Sequence, residues 1–561
     1  NVLENNTTGN LNVGLGQSCL QDNTTGSSNT ALGYSCLVNN TTGHSNTVVG
    51  HYTMYDATTG SSNTSVGHQA LRKQTIASSN NAIGKDAMFE NLTGVDNTGV
   101  GRNVLYNNTT GNRNTAVGNY SLDSNTTSNN NTAIGYYALT TSTSGSNTAV
   151  GSYALDALTS GHTNNAVGST ALGGLTTGSY NSAFGNEALE AATTGNHNNA
   201  FGYQAMHATT TGMGNTAMGG HSMNNNTTGD HNVAFGYWAL GSGTNTGDSN
   251  VALGSHCLFV NVDGYKNIAV GRQSLYSNSS GSRNIGIGWE ALYSNTTASQ
   301  NTAIGDECLH DNTTGYSHTA VGHGALDQTT ASYDCCAFGV DSLRSQTTGV
   351  NNSAFGKDTL ANLTTGNHNT AIGKNAGNNV TTGGSNVFVG MNAGNGQVTT
   401  ESDYLFIARE GVASGNDGCW IFGDAEGDVF QGNNDGHWAT TSDQRLKKDI
   451  VDNTKGLEVI DQVKVKNFKF KQYKDGSPVT SDDTVDISAF TNDPKINQVL
   501  LRQGDTSTKI GVIAQELETV LPNSVKIGPH GQKTVIQDEL FWHMLNAIKE
   551  LSAKVTALEG K

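Results

Sequence analysis

The sequence predicts an all-β repeat solenoid, a parallel β-roll or β-helix of 17-residue rungs, followed by a C-terminal α+β domain that ends in a coiled-coil helix. Three observations predict it. The pattern N-T-A-[V/I/F]-G-x-x-A-L recurs more than twenty times, its closing glycines falling at Gly16, Gly33, Gly50, Gly67, Gly84, Gly101, Gly118 and Gly135. They continue through Gly151, Gly236, Gly254 and Gly305 to Gly390 with single-residue slips. A period of this length marks a stack whose units bury no core alone. Composition then changes near residue 441: Pro478, Pro494, Pro522 and Pro529 all follow it, and most of the 70 glycines precede it. Finally, Phe541, Met544, Ile548, Leu551, Val555 and Leu558 alternate spacings of three and four, the seam of a coiled coil.

Each rung reads as two short strands around a glycine. In the rung of Asn114, Thr115, Ala116, Val117, Gly118, Asn119, Tyr120, Ser121 and Leu122, the apolar stretches are too short and too interrupted for a helix. Two strands with a glycine turn or bulge between them fit. Asp123 to Asn130 is polar and reads as a loop, which elsewhere carries T-T-G, as in Thr109, Thr110 and Gly111. Stacking such rungs about 4.8 Å apart places equal positions in columns. Asn12, Asn29, Asn46, Asn63, Asn114, Asn131, Asn215, Asn301 and Asn369 form one column. Stacked amides bond to their copies above and below, and this reading is preferred to a ligand site. His318 and Cys335 interrupt it in neighbouring rungs.

The seven cysteines read as small packing residues in preference to a disulfide framework. Cys19, Cys36, Cys257 and Cys308 share one slot with Ala70, Ser121, Ala138, Ser274 and Thr359, so the slot requires a small side chain. Of 29 Lys+Arg and 46 Asp+Glu, 17 of each lie in 442–561, so the whole net charge of −17 falls on residues 1–441. An acidic, Lys-poor surface argues against nucleic acid or an anionic membrane as partner. No apolar run is long enough to span a bilayer. A repeat already under way at Asn1 suggests a fragment or a processed chain.

The apolar residues cover about half of each rung, with the Val/Ile/Phe and Leu/Met columns close together. A single chain would leave an apolar stripe along the stack, and three chains around an axis would bury it. A homotrimer is therefore expected. The repeat, over roughly residues 1–395, resembles the N-S-V-A-I-G-x-x-S repeats in the heads of trimeric autotransporter adhesins, and is also similar to repeats of phage tail fibres. The resemblance implies a trimer of parallel β-rolls, about 110 Å long at about 4.8 Å per rung.

Residues 396–441 are expected to be closing rungs and a fibre tip, with stretches at Leu405–Ile407 and Cys419–Gly423. Then comes Thr441-Ser442-Asp443-Gln444-Arg445-Leu446-Lys447-Lys448-Asp449-Ile450. This S-D-x-R-L-K-x-x-I string resembles the start of the intramolecular chaperone of endosialidase. So do Gly511-Val512-Ile513-Ala514-Gln515-Glu516-Leu517 with Leu521-Pro522, and the closing Ala547-Ile548-Lys549-Glu550-Leu551. The resemblance implies that 442–561 is a chaperone that helps trimeric fibres fold and then cuts itself off. Ser442 would attack the Thr441 carbonyl and Lys447 would take its proton. Chemically, a serine hydroxyl needs a base within reach, and a buried lysine can serve. On spacing alone, Ser442 reads better as a helix N-cap with cations downstream; the three matching blocks reverse that in favour of cleavage. Lys448 lies one residue out of register, and Asp443 and Arg445 have no assigned role.

The function expected is a viral, phage-type tail fibre, extracellular on the virion, that binds a host surface receptor, in particular a glycan, without inserting in a membrane. Trp420, Phe422, Phe430, His437 and Trp438 are the candidate receptor-binding residues, or else a trimer core at the tip. The alternative is a bacterial surface adhesin with the same chaperone. Its only catalysis would be single-turnover serine autoproteolysis. An enzyme acting on polysaccharide needs paired carboxylates, and the nearest pairs, Asp306-Glu307 and Asp424-Glu426, do not recur at one level. No cofactor or metal is expected, since the G-G-x-G-x-D calcium pattern is absent. Adjacent threonines such as Thr41-Thr42 cannot both face one flat side, which argues against an ice-binding face.

Overall fold

The structure is a computed structural model. It describes residues 1–396, 398–408, 419–425, 427, 429–431, 457–463, 465–468, 473–474, 477–478, 509–512, 514–522, 525–527, 533–535 and 537–559. The chain divides into two compact units, Asn1–Gly436 and His437–Lys561.

The first unit is a parallel β-solenoid of about 23 turns. Its strands run from β1 (Val13–Leu15), β2 (Thr30–Leu32) and β3 (Thr47–Val49) to β23 (Val387–Val389), each three residues long. Each pairs in parallel with the next, as Thr115↔Thr132 and Ala116↔Ala133 illustrate. Where the period slips, the turn absorbs the change and the strands stay in register: Thr132 meets Thr148, and Val233 meets Val251.

A rung contains one strand, not the expected two. The second apolar stretch turns instead, because two of its residues take left-handed backbone, Tyr120 at φ 62° and Leu122 at φ 50°. A non-glycine residue there costs about 1–2 kcal/mol. The leucine is held by complete burial and by its N–H, which bonds Ala138 O at 3.1 Å in the next rung. The preceding Gly118, at φ 132°, has no substitute: an added Cβ would run into the carbonyl of Gly135.

The strand alternates as a half-buried strand must. Its central residue, mostly Ala, points inward and is wholly buried, as are the small-residue slot and the leucine after it; Ala116, Ser121 and Leu122 form one such set. This separates the two bulky columns that the sequence places together. The Leu/Met column is core of a single chain, and Leu37, Met54, Leu71 and Met88 have no exposure. The Val/Ile/Phe column stands outside: Ile83 is 42% and Phe184 40% exposed.

Three columns of side chains tie the rungs together. Asn114 Nδ2 donates to Ser128 O at 2.9 Å, its Oδ1 accepts Asn131 N–H at 3.0 Å, and its own N–H donates to Asn97 Oδ1 at 2.9 Å. A second amide column lies in the N-T-T-G segment that the sequence suggests is loop. Asn91, Asn108 and Asn125 are wholly buried, and Asn108 Nδ2 donates to Asn91 Oδ1 at 2.7 Å. Next to it, the first threonine of each pair donates to the following rung's carbonyl, as Thr193 Oγ1 does to Thr210 O at 3.1 Å.

The solenoid ends in a reversal. β24 (Leu405–Ala408) still pairs in parallel with β23, but β25 (Cys419–Gly423) runs antiparallel to β24, and β26 (Val429–Gln431) antiparallel to β25. The Cys419 stretch is therefore not a further rung. It pairs the last strand's open edge, which would otherwise offer unsatisfied backbone groups.

The second unit holds β27 (Val465–Phe468), the short β28 (Tyr473–Lys474) and β29 (Ser477–Pro478), β30 (Lys509–Val512), β31 (Val525–Ile527) and β32 (Lys533–Val535). Its helices are α1 (Leu457–Ile460), α2 (Ala514–Val520) and α3 (Gln537–Glu559). β27 and β30 pair antiparallel, and Val459, Leu517, Leu521 and Val525 form a small core.

Candidate functional site

The residues proposed for chemistry, Thr441, Ser442 and Lys447, lie outside the described residues, as do Asp443, Arg445 and Lys448. The segment Gly511–Leu517 is described except for Ile513. Gly511 and Val512 close β30, Ala514 opens α2, and Leu517 packs into the core with Leu521. Leu517 thus belongs to the unit's interior. On α3, His543 and Ala547 are buried, whereas Phe541, Met544, Ile548, Leu551, Val555 and Leu558 are exposed, Ile548 by 62%. The three-four seam is therefore not the face that the helix buries.

Of the five tip candidates, His437 and Trp438 lie outside the described residues, and Phe430 is described only as a strand residue paired with Phe422. The structure separates the other two. Phe422 packs on the end of the core, its ring 5.0 Å from Phe406 and 5.9 Å from Tyr404. Trp420, two residues earlier on the same strand, is 64% exposed. Of these two, only Trp420 is presented for contact.

The sheet's outer face is a long exposed surface among the described residues. Its two outward columns are the first and third residues of each strand. Through β24 the third is always apolar, from Leu15 and Leu32 to Val389 and Ile407, and is never buried. The first is Thr, Asn, Ser, Cys or aliphatic, so neither column carries a charged residue, on a chain of net charge −17. Equal rings stack along it, Phe184 on Phe201 at 5.0 Å and Phe338 on Phe355 at 5.1 Å.

Two clusters have metal-ligating types within reach of one another: Glu187, Glu190 and His207, and His310, Asp311 and Asp327. They arise because stacking brings residues one period apart together, which a search for sequence-local motifs misses. His207 Nε2 lies 2.9 Å from Glu190, and His310 Nδ1 2.8 Å from Asp311. The Gln204 amide, donating to Glu187, holds that carboxyl below its usual range. Burial, and then the Asp311 charge, raises Asp327. In each cluster the histidine already has a carboxylate within hydrogen-bond distance, and that contact accounts for the arrangement.

His318 and Cys335 fill two successive places in the first amide column. The His318 ring accepts Cys335 N–H at Nδ1, 3.3 Å away, and its Nε2 lies 3.2 Å from Ser332 O. Burial pushes its pKa down to about 4, so the ring is neutral. Gln346 bridges the gap, donating to Gly349 O at 2.8 Å and accepting from Asn352 at 2.9 Å.

Among the described residues, no helix is long and apolar enough to cross a membrane. No curated protein matches the chain. A family model, the chaperone of endosialidase, matches residues 442–526. Its first matched residue is Ser442, and it takes in the Gly511–Leu517 block and Pro522; the closing helix lies beyond it. The matched domain and the β-solenoid before it fit a phage tail fibre- or adhesin-like protein with a C-terminal chaperone domain.

Proposed function

We propose that the chain is the subunit of a homotrimeric, phage-type tail fibre that attaches to a host surface receptor. Its C-terminal chaperone sets the register of three chains and then removes itself at Thr441–Ser442. The charge-free outer face of the sheet carries this reading. An apolar column of this length on a soluble molecule marks an interface, and three identical columns around an axis would cover one another. The exposed seam of α3 supports the same stoichiometry, as three such helices would bury Ile548 and Leu551.

A helper is needed because a slip by one rung restores nearly every ladder. Thr115 pairs as well with Thr132 as Thr98 does with Thr115. A domain that trimerises first fixes the register, and its removal afterwards traps the product kinetically. Ser442 would be the nucleophile and Lys447 its base; the support is the family match that begins at that serine. Deleting 442–561 should give monomer or aggregate, and a well-formed trimer from that chain would sink the chaperone role.

The receptor would be bound at the end of the solenoid, with Trp420 as the exposed aromatic. Trp420→Ala should reduce host binding at least tenfold without changing the oligomer. Unchanged binding would remove Trp420 from the receptor site.

A further inference from the structure

The small-residue slot holds Cys in two successive rungs at one place among the described residues, Cys19 and Cys36. Both are wholly buried in the first turns of the solenoid, and their Sγ atoms are 3.0 Å apart. Cys19 Sγ also lies 2.8 Å from Gly33 O and 3.4 Å from Leu15 O, so one thiol proton faces three acceptors. Cys257 and Cys308 occupy the same slot alone. Each bonds only a carbonyl, Gly254 O at 2.9 Å and Ala320 O at 3.3 Å.

We propose that Cys19 and Cys36 are a disulfide site, a covalent staple between two adjacent rungs of the solenoid. Parallel stacking sets equal positions about 4.8 Å apart, inside the Cα separation of roughly 4.4–6.8 Å that a disulfide spans. The side chains already converge, so closing the gap to about 2.0 Å needs small rotations about the Cα–Cβ bonds and not a change of register between the rungs. A low-molecular-weight disulfide serves as oxidant. The Cys19 thiolate attacks one of its sulfurs and expels a thiol; the Cys36 thiolate then attacks Cys19 Sγ and expels the second. The two cysteine protons leave, the protein pair is oxidised, and the oxidant is reduced to two thiols. Burial and the neighbouring sulfur raise the Cys36 pKa, so exchange belongs to the stage before the rungs close. The staple holds its rungs in one register, which chemically equal ladders do not. The staple forms wherever the rungs close in the presence of a disulfide oxidant, and it does not rest on the fibre reading.

The test secretes the full chain into a bacterial periplasm, where folding and oxidation coincide. The chain is then denatured in iodoacetamide without reductant and digested with trypsin. The peptide of residues 1–72 contains Cys19 and Cys36, while 114–266 contains Cys257 alone as an internal control. The expected result is a 1–72 peptide lighter by two hydrogens and unalkylated, beside a fully alkylated 114–266 peptide. In Cys36→Ser, Cys19 should instead be found alkylated or carrying a small thiol. Reduction of the wild type should speed exchange of the Leu20 amide, which bonds Cys36 O across the two rungs, at least tenfold. Full alkylation of both cysteines in the periplasmic chain would overturn the proposal and leave an S–H···S contact.

Discussion

The two amide columns use the same residue for unequal tasks. Asn114 satisfies two backbone groups, a carbonyl and the next Asn N–H. Asn108 serves one side-chain oxygen, Asn91 Oδ1, and adds a second donor to Gly111 O, which Asn97 already serves at 2.8 Å. Nature's own substitutions follow that difference. Ala57, Leu158, Leu175, Leu363 and Val380 replace the second column, and where it stops, as at Asn40, Asn125 and Asn312, an Oδ1 is left without a partner. Asn114→Ala should therefore cost about 2–3 kcal/mol locally, chiefly the stranded Asn131 N–H, since Ser128 O keeps Asn125 Nδ2 at 3.3 Å, and Asn108→Leu, which strands only the side-chain oxygen of Asn91, about 1 kcal/mol. Hydrogen exchange at the Asn131 and Thr132 amides measures both, and equal losses would refute the distinction. His318 adds a pH term. Its folded pKa of about 4 lies below the usual 6.5, so between these values the unfolded chain binds more protons, and stability falls as pH drops through that window. The loss at its full extent, below about pH 4, is on the order of 3 kcal/mol. Protection of the Thr302 amide relative to its intrinsic exchange rate, its N–H bonding His318 O, should fall on going from pH 7 to pH 5, and His318→Asn should flatten that response.

At the scale of elements, the strand and the glycine after it were legible from the pattern T-A-V-G. The slot of Ser121 and Cys36 was legible too, because only small residues recur there. What the sequence hides is backbone sign. Nothing about Leu122 announces φ of 50°, since leucine rarely adopts it, so its stretch read as a strand. The burial of Asn108 was hidden for a related reason: a polar run suggests solvent, and only stacking supplies the partners that let an amide be buried. The antiparallel β25 was hidden because its spacing imitates a rung. The exposed face of the strands carries its own prediction. Ile134→Glu combined with Phe184→Glu places charges on a face that one chain leaves open. The solenoid's circular dichroism should be unchanged, and the trimer should be lost in size-exclusion chromatography with light scattering. A surviving trimer would place its interface elsewhere. Ile548→Asp on α3 should lower trimer yield during folding, leaving the helix content of α3 unchanged.

At the scale of the molecule, two units with different physics share one chain. The solenoid carries the acidic charge, repeats its contacts and has no unique register; the C-terminal unit has few repeats and balanced charge. Such a division suits a part that persists and a part that guides its assembly. Ser442→Ala should keep the chain whole at 561 residues while the unaltered chain loses 120, and a shortened variant would exclude Ser442 as nucleophile. The most direct single measurement is the native mass of the purified, unaltered chain. The predicted particle contains three copies of residues 1–441 and no covalently attached 442–561. A particle of one chain would contradict the reading of the charge-free face, and a trimer of uncut chains would contradict the self-cleavage.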